Sequence, residues 1–233
     1  ILLIGLVIGL AIPTVSRSEE GVIVLHGLSR SSLSMAKMAR QLEKAGYVVI
    51  NVDYPSSTAN ISLLSDKAIS TALADPKMAT VTKINFVTHS MGGILVRNYL
   101  KAKPLERIGR VVMLGPPNQG SEVVDVLKDW KLFRWIGGEA GLELSTSSES
   151  IPIQLGDVNF ECGIIAGDRS VSWVSSLLVP GPDDGRVAVE RTKVGGMQAH
   201  LVMHVTHFNM MNNQRVIEQS IYFLKNGQFL ENS

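Results

Sequence analysis

The chain has 233 residues, 45% hydrophobic and 18% charged, and its 22 basic and 21 acidic side chains leave a formal net charge of +1. This is ordinary globular make-up, long enough for one large domain, and its charge is too balanced to attract nucleic acid. Cys162 is the only cysteine, which excludes an internal disulfide and a multi-cysteine zinc site; inside the apolar run CGIIAG it reads as a small buried hydrophobe.

The apolar run from Ile1 to Ile12 ends at Pro13 and is followed by polar residues. Its length suits a signal-peptide core, whereas a membrane span wants roughly twenty apolar residues. Residues 1–18 are therefore expected to be a hydrophobic leader, either an export signal or, with more chain upstream, a membrane anchor. The structural alternative is a first strand or helix packed on the domain. Export to the periplasm or outside, or anchoring at the cell envelope with membrane-surface contact through this run, is the expected location.

Residues 19–233 read as one domain in which strand and helix patterns alternate. GVIVLHG is a short apolar strand, and SSLSMAKMARQLEKAG follows with Leu33, Met38, Leu42 and Ala45 near helical spacing. YVVINVDYP is a second strand stopped at Pro55, and ISLLSDKAISTALAD a second helix. KINFVTHS, MGGILVRNYLKA and RVVMLGPP continue the alternation. Continuous apolar strands joined by helical crossovers predict a parallel sheet with helices on both faces, an α/β class fold.

The pattern breaks between Asn118 and about Asp157, where one amphipathic helical stretch with Trp130, Phe133, Trp135 and Ile136 precedes a Gly- and Ser-rich loop. This is too long for an ordinary connection. It is expected to be a lid or pocket wall, or else a surface excursion whose aromatics pack on the core. FECGIIAGD then gives a buried strand, HLVMHVTH another, and NNQRVIEQSIYFLKNG a closing amphipathic helix stopped at Gly227.

Chemistry enters at THSMGG. A strand turning directly into a helix there holds Ser90 at the apex in a strained conformation, its hydroxyl directed into a cleft. The residues two before and two after the serine must be small: Gly92, backed by Gly93, meets the demand on one side, and Thr88 stands on the other where glycine is usual. Upstream, the strand ending at His26 and Gly27 turns sharply. The Leu28 N–H, together with that of Met91 after the serine, is placed to hold a carbonyl oxygen that becomes charged during attack. The His26 side chain fits a loop-fixing hydrogen bond better than direct chemistry.

With these segments the chain resembles the α/β-hydrolase superfamily, and within it the secreted bacterial lipases and esterases, over nearly everything from Gly21 onward. LHGLSRS resembles the oxyanion loop, THSMGG the nucleophile elbow, GPPNQGSEVVD the segment before the lipase lid, and DDGRVAVE with VTH the acid and histidine regions. The resemblance implies acyl-hydrolase activity and a Ser, acid, His chain order.

A serine needs a neighbouring base that is itself oriented by a carboxylate. Three histidines follow Ser90. His207 falls in a loop past the last strand, where a base reaches the carboxyl edge, whereas His200 and His204 read as interior to that strand and structural. A metal site on HLVMHVTH lacks an acidic neighbour, and alternation splits His204 from His207. Two acids compete. Asp168 ends a strand, and Asp184 begins a DG-x-V turn of the kind that carries the acid in the lipases the chain resembles; Asp184 is preferred, and Asp183 reads as a solvated neighbour or surface ligand.

The expected activity is that of a serine carboxylic ester hydrolase, an esterase or lipase. Ser90, Asp184 and His207 would be catalytic, Leu28 and Met91 would form the oxyanion hole, no cofactor or metal would be needed, and a small acyl ester or lipid would be the substrate. The same triad could serve an envelope acyltransferase or lipid-remodelling enzyme, and Thr88 is the one feature that fits a non-catalytic binding protein.

Overall fold

The computed structural model describes residues 19–127, 129–170 and 179–231, the side chains of residues 131–136 excepted. The leader expected at residues 1–18 lies outside them, as do the side chains of Phe133, Trp135 and Ile136. Among the described residues, no helix is long and apolar enough to cross a membrane.

Among the described residues six strands form one sheet: β1 (Glu20–Leu25), β2 (Val48–Val52), β3 (Lys83–His89), β4 (Ile108–Leu114), β5 (Cys162–Gly167) and β6 (Ala199–Met203). Their order is β2-β1-β3-β4-β5-β6, and every neighbouring pair is parallel. Between them lie α1 (Ala36–Lys44), α2 (Ile61–Leu73), α3 (Met91–Ala102), α4 (Glu122–Leu127), α5 (Lys131–Leu142) and α6 (Ile151–Gln154), and α7 (Gln214–Asn226) closes the chain.

Two apolar clusters cover the two faces of the sheet. Ile69, Ile94 and Leu95 of α2 and α3 join Ile23, Phe86 and Met113 in one, and Met38 and Leu42 of α1 join Phe223 of α7, Val24 and Val87 in the other. Consecutive residues of the central strands therefore point alternately into different cores, so runs such as VIVL of β1, VVML of β4 and CGIIAG of β5 are continuously apolar. Cys162 is fully buried, and burial pushes its thiol up to about 12.

Three elements differ from the sequence reading. The first helix begins at Ala36, preceded by a 3-10 turn over Ser32–Met35, and Leu33 in that turn is 81% exposed rather than part of the apolar face. The stretch after Asn118 is not one helix: α4 and α5 are separate, and α5 is kinked at Gly138, where it meets the Ser57 carbonyl. β6 ends at Met203, so His204 lies beyond the strand.

The excursion between β4 and β5 is fastened to the body. The buried Arg97 of α3 donates to the backbone and side-chain oxygens of Asn118 and to the carbonyls of Pro152 and Gly156, and burial brings its guanidinium down to about 10. Glu143 accepts from the Ile61 N–H at 2.7 Å, tying the end of α5 to the start of α2, and Ala140 and Leu144 belong to the core.

Candidate active site

The strand order sends the chain from β1 outward to β2 and back across β1 to β3. Loops leaving the carboxyl ends of β1 and β3 therefore diverge, opening the crevice in which parallel-sheet proteins place their sites. Gly27 leaves β1 and Ser90 leaves β3, so the two loops singled out in the sequence flank this crevice.

Ser90 sits between the last residue of β3 and the first of α3 with φ 53° and ψ −125°, a conformation that an L-residue adopts only under constraint. Its N–H donates to the Leu114 carbonyl at 2.8 Å, which holds the turn against β4. The tight approach is on the helix side. A Cβ at Gly92 would lie 2.8 Å from the Leu25 carbonyl oxygen and 2.9 Å from that of His26, inside contact distance. Thr88 is paired in register with Leu25, is fully buried, and has its hydroxyl 3.3 Å from where a Cβ on Gly93 would be. The elbow thus demands glycine at 92 and accepts threonine at 88.

His207 Nε2 is 3.0 Å from Ser90 Oγ, and its Nδ1 is 2.7 Å from Asp184 Oδ2. A carboxylate accepts, so the proton of the neutral ring is on Nδ1 and Nε2 is free to accept from the serine. Asp184 is almost wholly buried, and its other oxygen accepts from the N–H groups of Arg186 and Val187 at 3.0 and 2.9 Å. The His207 N–H donates to the Asp184 carbonyl at 2.9 Å, fixing the two loops to each other. Gly115, at the end of β4 with φ 53°, makes room beneath them, since a Cβ there would lie 3.0 Å from Asp184 Oδ2 and 3.2 Å from His207 Nδ1.

The competing residues are occupied elsewhere. Asp168 pairs with His204 at 2.9 Å on the surface, the histidine side chain being 74% exposed. Asp183 is buried, not solvated, because its Oδ1 accepts from the Gly185 N–H at 2.7 Å and closes the turn. His200 donates to the Thr192 hydroxyl, whose own proton goes to the Val189 carbonyl, and burial lowers its pKa. Among the described residues no group of acids, histidines and cysteine is arranged to hold a metal ion.

His26 anchors the β1 loop. Its Nδ1 donates to the Gly27 carbonyl at 2.8 Å and its ring stacks on Tyr54 at 4.1 Å, with burial lowering its pKa. Leu28 lines the crevice, Met91 is the first residue of α3, and the N–H of neither donates to a protein acceptor among the described residues.

Four residues of the site escaped the sequence reading. His89 is buried against His207 with ring centroids 4.7 Å apart, and its Nε2 donates to the His207 carbonyl. Burial first and the neighbouring His207 second hold its pKa well below the usual histidine value. Arg30, Arg186 and Phe208 line the same cavity. Position alone hinted at three of these: His89 precedes Ser90, Phe208 follows His207, and Arg186 lies in the turn that begins at Asp184. The cavity above Ser90 holds about 550 Å³, and Val123, Val124, Leu127, Leu144 and the exposed Trp130 supply an apolar wall.

A parallel sheet whose third strand turns into a helix at a strained serine, with histidine and carboxylate loops converging at neighbouring strand ends, has the α/β-hydrolase fold of lipases and esterases. The chain belongs to the palmitoyl protein thioesterase family, whose model matches residues 21–148, more than half of its length. By fold and family it is a hydrolase of the lipase and esterase kind.

Solved structures agree on the fold. The mature form of Bacillus licheniformis lipase BlEst2 superposes with a TM-score of 0.68 at 18% identity, over 89% of this chain and 92% of that one. Phospholipase PlaB from Legionella pneumophila in complex with thio-NAD gives a TM-score of 0.72 at 16% identity, over 90% of this chain but only 59% of PlaB. The metagenomic carboxyl esterase MGS0156 gives 0.65 at 18% identity, over 84% and 66%. No curated protein sequence matches the chain.

Proposed function

We propose that the protein is a serine carboxylic ester hydrolase acting through an acyl-enzyme, with Ser90 as nucleophile, His207 as base and Asp184 as its orienting acid. The observation that carries the reading is the unbroken relay from Ser90 Oγ through His207 to Asp184, at 3.0 and 2.7 Å, under a cavity with an apolar wall.

Ser90 Oγ attacks the acyl carbon as its proton passes to His207 Nε2. The oxygen that gains charge is held by the Leu28 and Met91 N–H groups, each worth roughly 2.7–4 kcal/mol in sites of this kind. His207 then gives the proton to the departing alkoxide, leaving acyl-Ser90. A water attacks the acyl carbon, its proton goes to His207 and on to Ser90, and the carboxylic acid leaves. The strained backbone at Ser90 and the closed Asp184 turn prepare this geometry before substrate arrives. The segment 118–157 serves as the acyl-chain wall, supported by Val123, Val124 and Leu144 at the cavity.

Membership of the palmitoyl protein thioesterase family favours a second substrate, an acyl thioester. The same steps release a thiol, which leaves more readily than an alcohol and needs less protonation. Export or envelope anchoring through the run from Ile1 to Ile12 belongs to the same proposal; fractionation of cells producing the full-length protein tests it, and recovery with cytoplasmic markers refutes it.

Hydrolysis of p-nitrophenyl butyrate and butyryl-cysteamine by the parent and by Ser90→Ala tests the activity. Turnover of both by the parent, its loss in the variant, and labelling of the parent at Ser90 by a fluorophosphonate are expected. Turnover by Ser90→Ala close to the parent's would refute the mechanism.

A further inference from the structure

Two arginines meet over one aromatic ring at the cavity. The guanidinium carbons of Arg30 and Arg186 each lie 5.0 Å from the centroid of Phe208. Arg30 comes from the loop after β1, Arg186 from the turn that begins at Asp184, and Phe208 directly follows His207; all three line the cavity that holds Ser90. Both arginines are half-buried, and the ring is 45% exposed.

Among the described residues neither guanidinium is ion-paired to a carboxylate. Every Asp and Glu of the sequence lies among the described residues, and none is within ion-pair distance of Arg30 or Arg186. Asp184, the nearest candidate in sequence, is committed to His207 and to two backbone N–H groups. Burial and then the charge of Arg30 depress the pKa of Arg186, and the charge of Asp184 offsets only part of this, so the two cations repel across the ring. The aromatic face offsets part of this, but two converging, partly desolvated cations still call for an anion.

Position says which part of the substrate carries it. His207 protonates the leaving group, and Phe208 and Arg186 are next to His207 and Asp184 in the chain, whereas the apolar wall comes from α4 and Leu144. We infer that Arg30, Phe208 and Arg186 form an anion clamp for the leaving group, and that the preferred substrate is an acyl ester or thioester whose alcohol or thiol bears a phosphate. Two planar guanidinium forks match a phosphate's several oxygens and its charge of nearly two. This rests on the acyl-hydrolase reading above.

The test compares kcat/KM for four butyryl substrates: tributyrin and butyryl-cysteamine, which lack phosphate, dibutyryl glycerophosphate, which carries a lipid-type phosphate, and butyryl-coenzyme A, which carries a soluble one. The parent is expected to favour at least one phosphate substrate over its neutral counterpart by about tenfold or more, an advantage that shrinks with added salt. Arg30→Gln and Arg186→Gln should lower that ratio about tenfold, and Arg30→Lys and Arg186→Lys should recover part of it. A parent ratio near one, or Gln variants that keep the parent's ratio, overturns the clamp while leaving the hydrolase reading intact. If no substrate is turned over and Ser90 resists a fluorophosphonate, the hydrolase reading fails. Glycerol 3-phosphate binding to the intact protein by calorimetry then judges the clamp alone: binding lost in Arg186→Gln upholds it, and no binding overturns it.

Discussion

Asp184→Asn separates the two acids that compete in the sequence. In the parent, Asp184 Oδ2 accepts from His207 Nδ1 at 2.7 Å and Oδ1 accepts from the Arg186 and Val187 N–H groups at 3.0 and 2.9 Å. Asparagine has one accepting oxygen. Turned toward His207, it would leave its NH2 group against two backbone donors in a buried turn, so the oxygen faces the backbone and the NH2 faces Nδ1. Nδ1 must then accept, the ring proton moves to Nε2, and Nε2 can no longer take the proton of Ser90. A wrong tautomer of this kind lowers kcat by about four orders of magnitude, about 5 kcal/mol of barrier. The control is Asp168→Asn, which touches only an exposed pair with His204 and is expected to stay within about threefold of the parent. The assay is kcat for p-nitrophenyl butyrate, normalised to the concentration of folded protein. Asp184→Asn within tenfold of the parent, or Asp168→Asn falling as far, would show the orienting acid to be misassigned.

Gly115→Ala puts a methyl 3.0 Å from Asp184 Oδ2 and 3.1 Å from Met210 Sδ at a residue with φ 53°. It should lower stability by about 1–2 kcal/mol from backbone strain, seen in urea unfolding, and kcat by about a hundredfold as the acid shifts. Thr88→Gly should also lower stability by about 1 kcal/mol or more, through strand entropy and lost packing, yet leave kcat within a few-fold; a large gain in activity would show that threonine distorts the elbow. The pH dependence of stability follows from His89, His26 and His200, whose folded-state pKa values are depressed by burial. Below the unfolded-state value of about 6.5 the unfolded chain binds protons that the folded protein refuses, so stability is full above that pH and falls as pH drops below it, by up to about 1.4 kcal/mol per pH unit for each histidine. Urea midpoints between pH 7.5 and 5 measure this, and His89→Gln should flatten the slope; an unchanged slope would mean that His89 is not held neutral.

Much of the fold was legible because strands buried on both faces leave continuous apolar runs, and helices between them repeat apolar residues at helical spacing. The elbow was legible because close approach excludes side chains: Gly92 faces two carbonyl oxygens of the β1 end. The excursion after Asn118 was only partly readable. Its length marked it as exceptional, but the split into α4 and α5 depends on contacts with Ser57, Ile61 and Arg97, which are remote in sequence. His204 read as part of a strand because its apolar neighbours continue the pattern, although pairing stops at Met203.

By itself the sequence determined the class of sheet, the serine corner and the glycine behind it, because each leaves a local mark in residue type and spacing, whereas the order of acid and histidine came from the resemblance to the α/β-hydrolases. The choice among carboxylates left only the DG-x-V segment at Asp184, which points to the acid through that resemblance alone. Asp168 and Asp184 both occupy respectable loop positions, and only the converging ends of β4, β5 and β6 bring Asp184 under His207 while turning Asp168 toward an exposed histidine. The meeting of Arg30, Arg186 and Phe208 belongs to the tertiary structure for the same reason: the loops that carry them leave the carboxyl ends of β1, β5 and β6, and charges that look unremarkable singly are there forced together.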